Sequence, residues 1–469
     1  MNISGERIHC LGIGGIGVSA VAGLCKAMGA VVSGCDTRES DHLLSLRLQG
    51  YMCLVGHSPE HVKGMDAVVH SSAVPREHEE LRAARALGIP VYTRAQMLAR
   101  LQQGKRTIAI AGAHGKTTTT WLAAQALIAA DLKPSIMVGG RVAALGGNWC
   151  LGEGPLFVSE VDESDGSLLE FEPTWSIITN IDLEHLDYYR GFDHIRETFA
   201  RYVRRTRPDG CVIACADDAE AAAILRHWPG RRLTYGLNAS GAMCPDFAAR
   251  NVRLDPLRSR FEVEHCGRRL GPVTLTLPGE HNVQNSLAIF ALAHDLGIPF
   301  DDVARAFARA TGVGRRLQFI GEWAGVAVID DYAHHPREVK ATLQAARRMA
   351  MGRLIGVFQP HRYTRTRYLC ADFGAAFDEV DHLFLAPIYA ASEAPQDGVS
   401  SQLIADAVQR DGLVGCEVMA DLSSIAHWLL DVVRPGDTVI TLGAGDVYRV
   451  GEELLRLLKE VGNPSLASK

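Results

Sequence analysis

Two glycine-rich turns, each set between an apolar run and a helical pattern, carry the first chemical information in this sequence. The earlier one is Gly12-x-Gly14-x-x-Gly17. A strand-like run at 8–11 precedes it, and a helical pattern over 19–28 follows. A second strand-like run, 31–34, leads to Asp36. This order lets backbone N–H groups approach a diphosphate at a helix N-terminus, with an acidic residue placed to meet a ribose. Such N–H groups select a diphosphate rather than a nicotinamide. Gly14, Gly15, Gly17 and Asp36 therefore suit NAD and a UDP-sugar alike. His57 and the turn Ser71-Ser72 follow further apolar runs and are candidates to line the same crevice.

The later turn adds a cation. A strand over 107–111 leads into Gly112-Ala113-His114-Gly115-Lys116-Thr117, and a helix is predicted from Thr118 to Ala130. This is the context of a phosphate-binding loop, shortened because Ile110 stands where the strict pattern has glycine. Backbone amides would cradle phosphate oxygens, Lys116 would supply a point charge, and Thr117 would ligate magnesium. A glycine turn with a solvated lysine is the plainer alternative, but the threonines 117–120 running into the helix argue for ATP.

Carboxylates then gather where strands should end. The strand 157–159 runs into Glu160, Asp162, Glu163 and Asp165. The strand 176–179 runs into Asp182, Glu184, His185 and Asp187. Such crowding is unfavourable unless cations neutralise it. Glu160 and His185, next to strand ends, are the metal candidates. Glu170, Glu172 and Asp182 are expected to be solvated loop carboxylates.

The elements that must position these groups follow from the wider pattern. Apolar β-branched runs alternate with Ala/Leu-rich segments along 469 residues, the signature of α/β layers with mainly parallel strands. Three blocks separate, at the polar stretch 102–105 and the Gly/Arg joint 312–316, giving expected domains 1–103, 104–312 and 313–469, the last ending in a polar tail 463–469. In the third block, strands are predicted at 326–329, 354–358, 383–385 and 439–442. A net charge of -6 leaves no footprint for nucleic acid. The 11 cysteines form no CxxC pair or metal-spaced cluster, which fits a reducing compartment. Glycines interrupt the apolar run after Arg7, and no apolar stretch is long enough to span a bilayer. The expectation is a cytoplasmic protein with no membrane partner.

Several motifs, taken together, resemble the Mur ligases. They are Gly112-Ala-His-Gly-Lys-Thr-Thr-Thr119, Glu160-Val-Asp-Glu-Ser-Asp165, Thr179-Asn-Ile-Asp-Leu-Glu-His185, Gly279-Glu-His-Asn-Val-Gln-Asn285, Gly312-Val-Gly-Arg-Arg316, Asp330-Asp-Tyr-Ala-His-His-Pro336 and Phe358-Gln-Pro-His-Arg-Tyr-Thr-Arg-Thr-Arg367. They span nearly the whole chain. The resemblance implies an α/β protein of three domains: a Rossmann-like UDP-binding domain, a central P-loop-type ATPase domain and a C-terminal Rossmann-like domain. It implies ATP-dependent joining of L-alanine to the lactyl carboxylate of UDP-N-acetylmuramic acid through an acyl phosphate. The protein would be a monomer or weak homodimer using ATP and two magnesium ions.

Carried over motif by motif, the resemblance gives Lys116 the terminal phosphates, within an ATP site of Gly112, Ala113, His114, Gly115, Thr117 and Thr118. Thr117, Glu160 and His185 would serve the metal. Asn282 and Asn285, at i and i+3 on one helix face, would meet the adenine side. Arg315 at the joint would reach the γ-phosphate on closure, and Asp330 or Asp331 would hold the ATP ribose. His361, Arg362 and Arg365 form a candidate cationic cluster for the amino-acid carboxylate. Tyr332 and His334 would line that pocket, and His334 or His335 is the candidate base. Ala113 and Val18 depart mildly from the family pattern, and Gly147-Asn-Trp-Cys150 is unusual beside the expected sugar site.

Overall fold

The computed structural model describes residues 3–185, 188–237, 244–391, 393–411 and 415–461. Asp187 and the tail 463–469 lie outside the described residues. Three sheets form, one in each block. The first is wholly parallel, in the spatial order Met52–Val55, Val31–Asp36, Arg7–Leu11, Ala67–His70, Val91–Thr93. The chain starts in the middle strand and winds outward both ways, so the crevice opens at the carboxyl ends beside Leu11. Leu11 stands opposite Cys35 on one side and His70 on the other, which brings Gly12, Asp36 and Ser71 to one edge.

The central sheet has ten strands, of which Arg106–Ala111 lies between Trp175–Ile178 and Leu156–Glu160. Ala111 faces Ile178, and Ile110 faces Glu160. The phosphate-loop candidate and both acidic runs therefore leave neighbouring strands at the same edge. This sheet is less parallel than the sequence reading expected. Phe247–Asp255, Arg258–His265 and Arg268–Leu275 form an antiparallel arm, and Ser135–Val142 with Gly147–Cys150 a hairpin. In Arg258–His265, Ser259, Phe261 and Val263 are buried while Arg258 and Arg260 are exposed. That alternation marks a sheet with one wet face.

The third sheet runs Gln318–Trp323, Val326–Asp331, Thr438–Leu442, Leu354–Phe358, His382–Leu385, Gly415–Val418, with only its first strand antiparallel. The last strand in sequence is inserted at the centre. Asp331 and Phe358 both register on Leu442, so the candidate groups after both strands meet around Gly443.

The domains adhere by different means. One apolar cluster runs from Ile8 and Leu98 in the first domain to Phe157, Phe199 and Tyr202 in the central one, uniting them. Trp149 seals this contact: a Cβ on Gly23 would come 2.3 Å from its ring. The unusual 147–150 segment is thus a docking hairpin, and Asn148 Nδ2 also donates to the Ile16 carbonyl. The third domain has its own apolar clusters and meets the central one through charges. No helix among the described residues is long and apolar enough to cross a membrane.

Candidate active site

At the central sheet's edge, Gly115 caps the helix Lys116–Ala129 in a left-handed conformation, φ +79°. The helix starts two residues earlier than predicted, which puts Lys116 and Thr117 in its first turn, where free N–H groups and the dipole favour anions. Two glycines are obligatory. A Cβ on Gly112 would lie 2.1 Å from Thr179 Oγ1, and one on Gly115 would lie 2.7 Å from Asn285 Oδ1. Asn285 therefore packs on the loop. Asn282 instead donates to the Pro278 carbonyl of its own helix start at 2.7 Å.

Lys116 Nζ folds back on the loop, donating to the carbonyls of Gly112 (2.5 Å) and Ala113 (3.1 Å) and to Glu163 (2.8 Å). Burial opposes its charge, but Glu163, Asp162 and Glu160 outweigh burial and hold the ammonium above its ordinary value. Glu163 also lies 3.4 Å from His185 Nε2, and Glu184 lies 3.5 Å from the same atom. Glu160 completes the edge. Its Oε2 is buried without a hydrogen-bond partner, and its other oxygen lies where a Cβ on Gly139 would stand, 1.9 Å away. An orphaned carboxylate oxygen beside other hard oxygen donors is the environment a magnesium ion satisfies. Glu163, Glu184 and His185 lie close enough together to share such an ion, and Glu160 offers an unpartnered oxygen of its own.

Asp182 corrects the expectation of a solvated loop. Its side chain is only 10% exposed. It accepts from His114 Nε2 at 3.1 Å and pairs with Arg337 of the third domain at 3.2 Å. Glu170 and Glu172 are outward-facing, the latter paired with Arg205. His114 reaches Glu338 with its other nitrogen at 3.2 Å. Burial alone would lower its pKa, yet Glu338 and Asp182 raise it to about 10, so the ring is a cation bridging two domains. Glu184 and Arg365 form a further cross-domain pair at 3.6 Å. Burial opposes the charge of Glu184, but Arg365 and the neighbouring histidines hold its pKa at about 2.

Tyr332, His334, His361 and Arg365 come together on the third domain's side, with His334 and His361 ring centroids 5.4 Å apart. Arg362 caps the short helix Tyr363–Leu369 with φ +70°, its N–H held by the Tyr389 carbonyl. Arg362 and Arg365 share a small cavity with Glu184 and His185. His361 departs from the expected cationic cluster. Arg365 donates to its Nδ1 at 2.9 Å, and burial together with His334 and the two arginines lowers its pKa to about 2. The ring is neutral, and the cationic charge is carried by guanidinium alone. His334 is also held neutral, at about 4, by burial and then Arg365. Its Nδ1 lies 2.9 Å from the Tyr332 carbonyl, which can only accept, so the proton sits on Nδ1 and Nε2 is the basic nitrogen.

The joint residues are already engaged. Arg315, at φ +60°, donates to Asp330 (2.9 Å) and to the carbonyls of Gly443 and Gly445. Asp330 also accepts from Thr441, while Asp331 accepts from the N–H groups of Leu317 and Ala333. Both carboxylates are buried. In this conformation they tie the joint to its sheet.

In the first domain, Asp36 Oδ2 accepts the Gly14 N–H at 2.9 Å, and a Cβ on Gly14 would come 2.7 Å from that oxygen. Gly15 caps the helix Ile16–Ala27, Gly17 packs on Arg94, and Ser71 borders Gly12. Ser72 is exposed. His57 has another engagement: its Nδ1 lies 3.2 Å from Glu80 and 3.3 Å from Cys35. A separate cavity of about 740 Å³ beneath the 102–105 linker contains none of the assigned residues.

Comparison with known proteins matches three consecutive family profiles. They are the Mur ligase family catalytic domain over 7–106, the Mur ligase middle domain over 110–293, and the Mur ligase glutamate ligase domain over 315–445. The chain belongs to the Mur ligase family. It is 44% identical to the UDP-N-acetylmuramate–L-alanine ligase of Geobacter sp. (strain M21), covering 97% of this chain and 98% of the relative. It is also 44% identical to the enzyme of that name from Desulfatibacillum aliphaticivorans, covering 96% and 98%. The crystal structure of UDP-N-acetylmuramate-alanine ligase from Thermotoga maritima superposes with a TM-score of 0.80 at 28% identity, over 97% of this chain and 99% of that one. The ligase shares its fold with a murein peptide ligase from Psychrobacter arcticus, TM-score 0.71 at 23% identity, covering 97% and 99%.

Sequence reasoning left Glu163, Glu184 and Glu338 without roles. The first two were visible inside the acidic runs. Glu338 had no local signal, since its partners His114 and His334 meet it only across a domain boundary and a helix turn.

Proposed function

We propose that this ligase joins L-alanine to the lactyl carboxylate of UDP-N-acetylmuramic acid, converting ATP to ADP and phosphate, in peptidoglycan precursor synthesis. The observation that carries this reading is the pair of glycine cradles on separate domains. Only the second has a lysine, and the third domain's Arg365 faces that second edge through Glu184.

The 12–17 turn grips the uridine diphosphate and the 112–118 turn the ATP phosphates. The lactyl carboxylate attacks the γ-phosphorus, the bond to ADP breaks, and an acyl phosphate forms. The alanine amine then attacks the carbonyl, phosphate leaves, and the nitrogen gives up a proton. Lys116 exchanges its bond to Glu163 for phosphate oxygens, and neutral His334 accepts the proton at Nε2. Arg315 must release Asp330 before it can meet the γ-phosphate. Thr117, Glu160 and His185 would hold magnesium, which when bound neutralises phosphate charge. Arg362 and Arg365 take the alanine carboxylate, and Tyr332 with neutral His361 shapes the pocket. The charged contact between central and third domains suits a surface that opens for substrate, whereas the apolar one fixes the first two domains together. The 11 cysteines are free, which supports a reducing, cytoplasmic setting, and the enzyme acts as a monomer or weak homodimer.

The test is ADP release with UDP-N-acetylmuramic acid, varying only the acceptor among L-alanine, glycine, L-serine and a tripeptide. L-Alanine should give the highest kcat/KM. A preference for the tripeptide would assign the chain to peptide recycling instead.

A further inference from the structure

His57 leads to a cluster that the ligation reaction does not use. It lies in the first domain, between the sheet and the helix Glu79–Ala86, and is built from His9, Cys35, His61 and Glu80. One ligand-type atom from each falls within 4.8 Å of all the others. His9, Cys35 and Glu80 are fully buried, and His61 opens it to solvent with 19% of its side chain exposed.

The spacing within the cluster serves hydrogen bonds to Glu80 from His61 and Cys35, and the same spacing would let the four groups share one centre. Glu80 lies 3.2 Å from His9 Nε2, 3.1 Å from His61 Nδ1 and 3.4 Å from Cys35 Sγ. Ligand bonds of about 2.0–2.3 Å around a tetrahedral zinc ion put neighbouring donor atoms about 3.3–3.7 Å apart. His9 Nε2, though wholly buried and facing Glu80, makes no hydrogen bond of acceptable angle. Its other nitrogen is fixed by Ser33 Oγ at 2.9 Å, the outer contact that orients a metal-binding imidazole. Ser58 N–H steadies Glu80 at 3.0 Å, and His57 stands beside both Cys35 and Glu80 as a further nitrogen donor.

We propose that His9, Cys35, His61 and Glu80 bind one zinc-class divalent cation, at a site separate from the catalytic edge. One thiolate and one carboxylate balance its two charges, and two imidazoles complete a tetrahedron. Binding displaces the Cys35 thiol proton, which passes to solvent as the metal–sulfur bond forms. Such a cation would pin the end of Val31–Asp36 to the helix Glu79–Ala86. The same strand end carries the Cys35 carbonyl, which accepts the N–H groups of Gly12 and Ile13.

The test uses the full-length, tag-free, metal-stripped protein titrated with Co2+, then with Zn2+. The proposal requires one equivalent to produce intense tetrahedral visible bands and a near-ultraviolet thiolate-to-cobalt band, both removed by Zn2+. It also requires Cys35→Ser to abolish the thiolate band and the partly exposed His61→Ala to weaken Co2+ binding at least tenfold, with circular dichroism verifying both folds. Zn2+ should raise the unfolding midpoint of the wild type by more than that of His61→Ala at the same concentration. Absence of the thiolate band in the wild type overturns the proposal. So does its persistence in Cys35→Ser, which would assign the cobalt to one of the other ten cysteines.

Discussion

The two glycine turns are built alike and equipped differently. Each follows a central parallel strand and opens a helix. In the first, the N–H groups of Gly12 and Ile13 go to the Cys35 carbonyl and that of Gly14 goes to Asp36, with no lysine in the turn. In the second, Lys116 lies across the loop carbonyls against Glu163, and Glu160 and His185 crowd the same edge. On the proposed reading both turns hold phosphate, and the groups on neighbouring strands decide whether it is merely held or transferred. A loop without a cation suits a carrier nucleotide that leaves intact. A loop with a lysine and orphaned carboxylate oxygens suits one whose terminal bond breaks.

Removing that equipment should break the contrast most sharply. Lys116→Ala should lower ADP release by at least about 10³-fold, as measured by a coupled assay at saturating substrates. Near-normal turnover would remove Lys116 from the chemistry. Glu160→Gln should cost about 10²-fold and shift half-maximal activation to higher magnesium, read from rate against Mg2+ concentration. Arg365→Lys replaces a planar fork by a point charge. It should raise KM for L-alanine roughly tenfold, with a smaller effect on kcat.

The smallest effect concerns the charged domain contact. The pKa of His114 rises from 6.5 to about 10 on folding, so its contribution is complete below pH 6.5 and fades as pH climbs to about 10. His114→Gln should remove that dependence. The wild type's advantage in unfolding midpoint, about 2–4 °C near neutrality, should vanish by pH 10, as followed by calorimetry.

The elements and loops were legible in the sequence because their signals are local. An apolar run before glycine and a lysine at a helix start need no distant partner to be read. The central sheet's arm was missed because the alternation in 258–265 is visible only if the arginines are taken as one face of a sheet. The site's ionic wiring was illegible for a different reason. Asp182 read as solvated because Arg337 and His114 come from distant segments, and His361 read as cationic because burial beside Arg365 cannot be inferred from adjacent positions. Asp330 stood in a recognised motif, and its bonds to Arg315 and Thr441 are contacts only the folded chain reveals.

The most direct measurement of the central claim is a crossed titration by calorimetry. UDP-N-acetylmuramic acid and a non-hydrolysable ATP analogue are each titrated into wild type, Gly14→Val and Lys116→Ala. Gly14→Val drives a side chain into Asp36 and should lose at least tenfold in affinity for the UDP-sugar while keeping that for the ATP analogue. Lys116→Ala should do the reverse. If Gly14→Val weakens only the ATP analogue, or Lys116→Ala only the UDP-sugar, the assignment of carrier and energy donor to these two turns is wrong.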